Sequence, residues 1–318
     1  MPTFAAVFPG QGSQAVGMGR DLAEAFPAAR ELFQEIDDAL GQHLSRLMFE
    51  GPAEELTLTE NTQPALLAHS LAVARVLEKE GGFPIGGRAL VVAGHSLGEY
   101  SALAAAGAFG VAQAARLLRF RGQAMQRAVP AGMGAMAALI GADLALAAAI
   151  CAEAARGPDG TEVVEPANDN GGGQVVISGA KAAVERAMAI ARGKGVKRAV
   201  PLAVSAPFHC AMMAPAAKEM AGALALSPPV APAVPLVANV TAAKTADAGE
   251  IGRLLVEQVT ATVRWRESVE AMAGMGADSF VELGAGKVLS GLARRIVPDA
   301  AATSIGTSAE IETFLKKL

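Results

Sequence analysis

Short, wholly apolar runs alternate along this chain with longer stretches in which apolar residues recur every three or four positions. "TFAAVF" (3–8) predicts a buried strand that runs into a Gly-rich turn, "PGQGSQAVGMG", and amphipathic helices follow through residue 80. "ALVVAG" (89–94) predicts a second buried strand, followed by helices over 99–107 and 111–128. Strands without a polar face, alternating with helices, predict a parallel sheet covered on both sides.

From residue 132 the rhythm changes. The pattern predicts a strand over 134–141, a helix over 142–156, a hairpin pairing 161–168 with 173–179, a helix over 180–195 and a strand over 196–202. That is βαββαβ, the order of a ferredoxin-like unit. Further strands are expected over 235–240, 278–284 and 302–306. The expected fold is therefore α/β: a parallel-sheet core from residues 1–131 and 201–318, carrying 132–200 as an inserted ferredoxin-like (βαββαβ) small subdomain.

Length and composition narrow the function classes. A chain of 318 residues fits one large domain, or a large domain carrying a smaller one. The formal charge of −4 shows no large basic bias, so nucleic acid is not an expected partner. The first residues show no basic segment ahead of a long apolar stretch, and the Ala-rich stretches are broken by Gly, Gln or Asp, so a soluble cytoplasmic protein is expected, with no membrane partner. Cys151 and Cys210 stand far apart without metal-ligand spacing, which reads as buried thiols in a reducing compartment and no metal site.

The chemistry gathers around "GHSLGEY" (94–100). A serine hydroxyl is a poor nucleophile at neutral pH and needs exposure, a base and donors for the developing oxyanion. G-x-S-x-G after a buried strand and before a helix places Ser96 on a sharp turn, and the helix starting near Leu97 points backbone N–H groups at it. The bland alternative is a small residue in a tight βα loop. Of the four histidines, His43 lies in a surface-like stretch and His69 in an apolar helical run, while His95 should face away from the serine and support the turn. His209, in "VSAPFHC", follows a strand at long separation from the serine, as a base that converges only in three dimensions would. No acidic third member is obvious: Glu99, Asp143, Glu153, Asp159, Glu162, Glu165, Asp169 and Glu185 mostly fall in the inserted unit or on helix faces. A dyad with a neutral acceptor is expected instead of a triad. "GQGSQAVGMG" is no phosphate loop, since no Lys-Ser/Thr follows the glycines and the spacing is not GxGxxG.

Five ordered segments carry a resemblance: "FPGQGSQ" (8–14), "GHSLGEY" (94–100), "SAPFHC" (205–210), "LLVEQVTATVRW" (254–265) and "ELGAGKVLSGL" (282–292). In that order the chain resembles the malonyl-CoA:acyl-carrier-protein transacylases of fatty-acid synthesis. One departure is Ala285, where that family commonly has Pro. The resemblance implies an α/β-hydrolase-like core, Ser96 as nucleophile and His209 as general base and acid. It further implies an oxyanion hole from the backbone N–H groups of Gln11 and Leu97, the backbone carbonyl of Gln258 orienting the imidazole, and Arg121 gripping the malonyl carboxylate. Without it, a water-facing glutamine and solvated arginines (Arg116, Arg119, Arg121, Arg127) would be the default. Phe208 before the base resembles members that take unsubstituted malonyl. The expected substrates are malonyl-CoA and acyl carrier protein, with no cofactor, and the enzyme is expected to be a monomer. Lys194, Lys197 and Arg198, or Lys287, Arg294 and Arg295, could offer the carrier protein a basic patch. A serine thioesterase or esterase, a non-catalytic interaction domain, and an acyltransferase of a polyketide pathway remain as alternatives.

Overall fold

β1 (Phe4–Phe8) lies at the centre of a six-stranded sheet, and each of its residues is buried. Its side chains divide by alternation. Phe4, Ala6 and Phe8 join one apolar cluster with Val92, while Ala5 and Val7 join another with Val91, Ala93 and Trp265. That two-sided burial is why the strand reads as an unbroken apolar run. The computed structural model describes residues 3–158 and 160–317.

The strands follow in chain order. After β1 come β2 (Val91–Gly94), β3 (Gly134–Ile140), the short pair β4 (Arg156–Gly157) and β5 (Gly160–Thr161), β6 (Val164–Asp169), β7 (Gln174–Ala180) and β8 (Arg198–Pro201). The rest are β9 (Leu236–Val237), β10 (Lys244–Thr245), β11 (Ser279–Leu283) and β12 (Ala301–Ile305). The main sheet runs β10-β9-β2-β1-β11-β12. All its neighbours are parallel except the antiparallel β10–β9 pair at one edge. The protein is thus α/β with a mixed, mostly parallel sheet. On one face the helix Thr59–Gly81, buried nearly all round, packs along Val111–Ala128. On the other, Trp265, Val269, Leu289 and Leu292 close over the sheet.

A second sheet runs β6-β7-β3-β8, antiparallel throughout, with the helices Leu144–Ala154 and Lys181–Gly193 packed on it around Leu139, Ile150, Ile177 and Val184. The expected strands and helices of this region are all present, with no end moved by more than three residues. The strand expected over 235–240 is shorter: only Leu236–Val237 pair with the sheet, and the chain then turns into β10. Past Val237 the Asn239 side chain bonds the Gly94 carbonyl and the Ser96 N–H at the end of β2. Backbone bonds from Asp169 to the Val263 carbonyl and from Val263 to the Ala167 carbonyl, each 2.9 Å, stitch the second sheet's edge to the loop before the helix Trp265–Gly274. No helix among the described residues is long and apolar enough to cross a membrane.

Candidate active site

Ser96 sits between the end of β2 and the helix Gly98–Ala105, at φ 54°. A left-handed backbone costs a non-glycine residue roughly 1–2 kcal/mol, so the surrounding fold must hold it. The flanking glycines show how. A Cβ on Gly94 would lie 1.9 Å from the Gly98 carbonyl carbon, and one on Gly98 would lie 2.2 Å from the Phe8 carbonyl oxygen. The helix therefore starts pressed against two strand ends, and Ser96 is pushed out between them. Asn239 ties the turn down: its Oδ1 accepts from the Ser96 N–H at 2.8 Å, and its Nδ2 donates to the Gly94 carbonyl at 2.7 Å.

His209 reaches the serine from a loop after β8. Its own φ is 58°, and it is only 4% exposed. Nδ1 lies 2.8 Å from the backbone carbonyl oxygen of Gln258, which can only accept, so Nδ1 carries the proton. Nε2 is then a bare acceptor, and it lies 2.7 Å from Ser96 Oγ. Burial, then the charge of Arg121, pulls the imidazole pKa down to about 3, against the opposing pull of the Gln258 carbonyl. The ring stands neutral at physiological pH, in the tautomer that removes a proton from the serine.

Arg121, on the helix Val111–Ala128, is 1% exposed. Its Nη1 donates to Gln63 Oε1 at 2.8 Å, and its Nη2 donates to Gln258 Oε1 at 2.8 Å and to Ser96 Oγ at 3.2 Å. Nε has no partner, and no carboxylate pairs with this guanidinium among the described residues. A buried cation held by neutral amides is costly, and burial lowers its pKa from the usual guanidinium value. The other arginines of the segment fit the solvated expectation less uniformly: Arg127 pairs with Glu219, whereas Arg119 reaches Gln42.

Ser96, His209, Arg121 and Gln63 line one cavity of about 290 Å³, which Met125, Met136 and Phe208 also border. Gln11 and Leu97 line it too, and among the described residues neither backbone N–H has a hydrogen-bond acceptor. Two free donors beside a serine form an anion-binding corner.

The structure thus brings Ser96, His209, Arg121, Gln258, Gln11 and Leu97 together. Gln258 does not face water: it is 1% exposed, and its Nε2 donates to the Ser96 carbonyl at 3.0 Å and to Glu99 Oε2 at 2.9 Å. The His95 ring is turned to other partners than the serine: Nε2 bonds Asn170 Oδ1 at 2.9 Å and the ring lies against Trp265, while the residue also borders the cavity. His69 is the expected core histidine, bonded to the Gly306 carbonyl at 2.8 Å, and Cys151 and Cys210 are buried free thiols. Glu99 also departs from its helix-face reading, being 1% exposed, while Asp159 lies outside the described residues. Sequence reasoning missed Asn239, Gln63 and Glu99. Of the two basic clusters, Lys194 already pairs with Glu153 and Lys287 with Glu310, each at 2.9 Å.

The model of the acyl transferase domain family matches residues 5–308. The chain is 48% identical over 316 residues to the malonyl CoA-acyl carrier protein transacylase of Escherichia coli K12, covering 99% of this chain and 100% of that one. It is 45% identical over 296 residues to the enzyme of the same name from Bacillus subtilis, covering 93% and 91%. The acyl-carrier-protein S-malonyltransferase of Bartonella henselae superposes with a TM-score of 0.95 at 53% identity, covering 99% of each chain. A malonyl-transacylase solved in complex with a type II PKS acyl-carrier protein superposes at 0.94 with 46% identity, covering 99% of this chain and 100% of that one. With a serine on a strained turn, a neutral imidazole against it and a match running almost end to end, this chain belongs to the acyl transferase domain family.

Proposed function

We propose that the protein transfers the malonyl group of malonyl-CoA to the phosphopantetheine thiol of acyl carrier protein by a ping-pong route through malonyl-Ser96. The observation that carries this reading is the unpaired guanidinium of Arg121 at 3.2 Å from Ser96 Oγ. An acyl group esterified to that oxygen and ending in a carboxylate meets a fork of donors built for it.

Ser96 Oγ attacks the thioester carbon as its proton passes to His209 Nε2. The carbonyl oxygen becomes an oxyanion, held by the N–H groups of Gln11 and Leu97. When the carbon–sulfur bond breaks, the imidazolium returns the proton to the departing CoA sulfur. The carrier thiol then gives its proton to Nε2 and attacks the ester, and Ser96 leaves with that proton. Gln258 supplies a carbonyl where hydrolases commonly place a carboxylate, so the imidazolium is oriented without a buried counter-charge. Side chains and backbone N–H groups suffice for these steps. In this reading residues 132–200 act as an inserted ferredoxin-like subdomain on an α/β-hydrolase-like core. The antiparallel order β6-β7-β3-β8 supports it, and Met136 and Asn168 would be its contribution to the cavity wall.

The test is intact mass measurement after brief exposure to malonyl-CoA. A malonyl adduct on Ser96 that transfers to holo acyl carrier protein is expected, with no adduct on Ser96→Ala. Free malonate released at full rate without the carrier would mean a hydrolase instead. The likeness to a transacylase bound to a type II PKS carrier favours a second acceptor class, and competition between fatty-acid and polyketide carriers for the same malonyl-enzyme separates the two.

A further inference from the structure

The helix that follows Ser96 carries a carboxylate that the reaction above does not use. Glu99 is buried, and its Oε2 accepts from Gln258 Nε2 at 2.9 Å and from the Asn239 N–H at 3.1 Å. Gln258 has two amide hydrogens, one for Glu99 and one for the Ser96 carbonyl, and with both held its Oε1 points at Arg121 Nη2, 2.8 Å away. One amide therefore stands between a buried carboxylate and a buried guanidinium that have no direct contact. Burial pushes the Glu99 carboxyl up to about 7, against the opposing pulls of Gln258, Asn239 and Arg121.

We propose that Glu99 is a positioning residue for acyl selection: through the Gln258 side-chain amide it holds the Arg121 guanidinium aimed at the carboxylate end of the acyl group. The proposal rests on the malonyl reading above. Remove the Glu99 acceptor, and one buried N–H of Gln258 and the buried N–H of Asn239 are orphaned, while the Gln258 amide keeps its bond to the Ser96 carbonyl as the anchor that steers Oε1. Arg121 then loses its fixed partner beside Ser96. The backbone carbonyl that orients His209 and the Asn239 side-chain bonds that hold the Ser96 turn do not pass through Glu99, so acyl groups without a carboxylate should react almost as before.

The experiment compares single-turnover acylation of Ser96 by malonyl-CoA and acetyl-CoA. It uses wild type, Glu99→Gln, Glu99→Met, Gln258→Met and the double Met variant. Glu99→Met should lower the malonyl-to-acetyl rate ratio about tenfold, with the acetyl rate within about threefold of wild type. Glu99→Gln keeps an oxygen for both hydrogen bonds and should retain the ratio. The double variant should be no worse than the more affected single one, as for two residues acting through one contact. Equal losses for both acyl groups, a collapsed ratio in Glu99→Gln, or multiplying effects in the double variant would each overturn the proposal. Should Glu99→Met not fold, Glu99→Asp draws the carboxylate back by one methylene, and an unchanged ratio there overturns it as well. If wild type forms no malonyl-Ser96, the malonyl reading fails instead, and the two failures are distinguishable.

Discussion

The backbone carbonyl of Gln258 accepts a hydrogen bond from Nδ1 of His209 at 2.8 Å. A carbonyl fixes the ring's tautomer and direction as a carboxylate would, yet adds no charge. Proton removal from Ser96 then depends on that one imidazole. His209→Ala should lower single-turnover acylation by about a thousandfold or more, read by rapid quench and mass measurement. A variant keeping most of its rate would point to another base.

The depressed pKa of His209 gives a pH signature. Its folded value of about 3 lies below the ordinary 6.5, so the base form persists well into acid, and acylation should stay level from pH 8 to pH 5. A half-fall in rate near 6.5 would contradict the buried, Arg121-facing ring. The same shift acts on stability. Between 6.5 and about 3 the unfolded chain binds a proton that native His209 refuses, so this group's contribution is present above 6.5 and is lost as pH falls. The slope is at most about 1.4 kcal/mol per pH unit. Urea unfolding should therefore show wild type losing stability more steeply than His209→Leu between pH 6.5 and 4.

Gly98 should tolerate no side chain. The neighbours of an added Cβ are the carbonyl oxygens of Phe8, at 2.2 Å, and Pro9, at 2.8 Å, and backbone cannot swing aside as a flexible side chain can. Gly98→Ala should lose about 3 kcal/mol or more in denaturant unfolding, or shift Ser96 enough to cut acylation at least about a hundredfold. Normal values for both would contradict the close approach of helix and strand end.

Arg121→Ala should cut malonyl transfer by roughly a hundredfold or more while changing acetyl transfer far less, because only the first needs a cation. Arg121→Lys should recover part of the malonyl rate, a point charge replacing a fork. Equal losses for the two acyl groups would remove the carboxylate-gripping role.

What the sequence reveals about this site depends on how local each cause is. The turn around Ser96 is legible because Gly94 and Gly98 answer a steric demand within five residues. The unbroken apolar runs of β1 and β2 reveal two-sided burial in the same way. His209 is legible by elimination among four histidines. Glu99 is hidden because its helix is buried from Gly98 to Leu103, so no periodicity separates a solvated face from an interior one. Asn239 is masked by the apolar run "PLVANV", which reads as one strand although pairing ends at Val237. Gln63 lies in a helix whose polar residues Asn61, Thr62 and Gln63 are all buried, and only its contact with Arg121 from a distant segment gives it meaning.

The lone guanidinium of Arg121 has a thermal consequence. Folding already bears the cost of sequestering a positive group away from water, so any anion seated beside Ser96 relieves a burden that folding imposed. Occupancy and folding are thereby linked, and the loaded protein should be the more heat-resistant of the two forms.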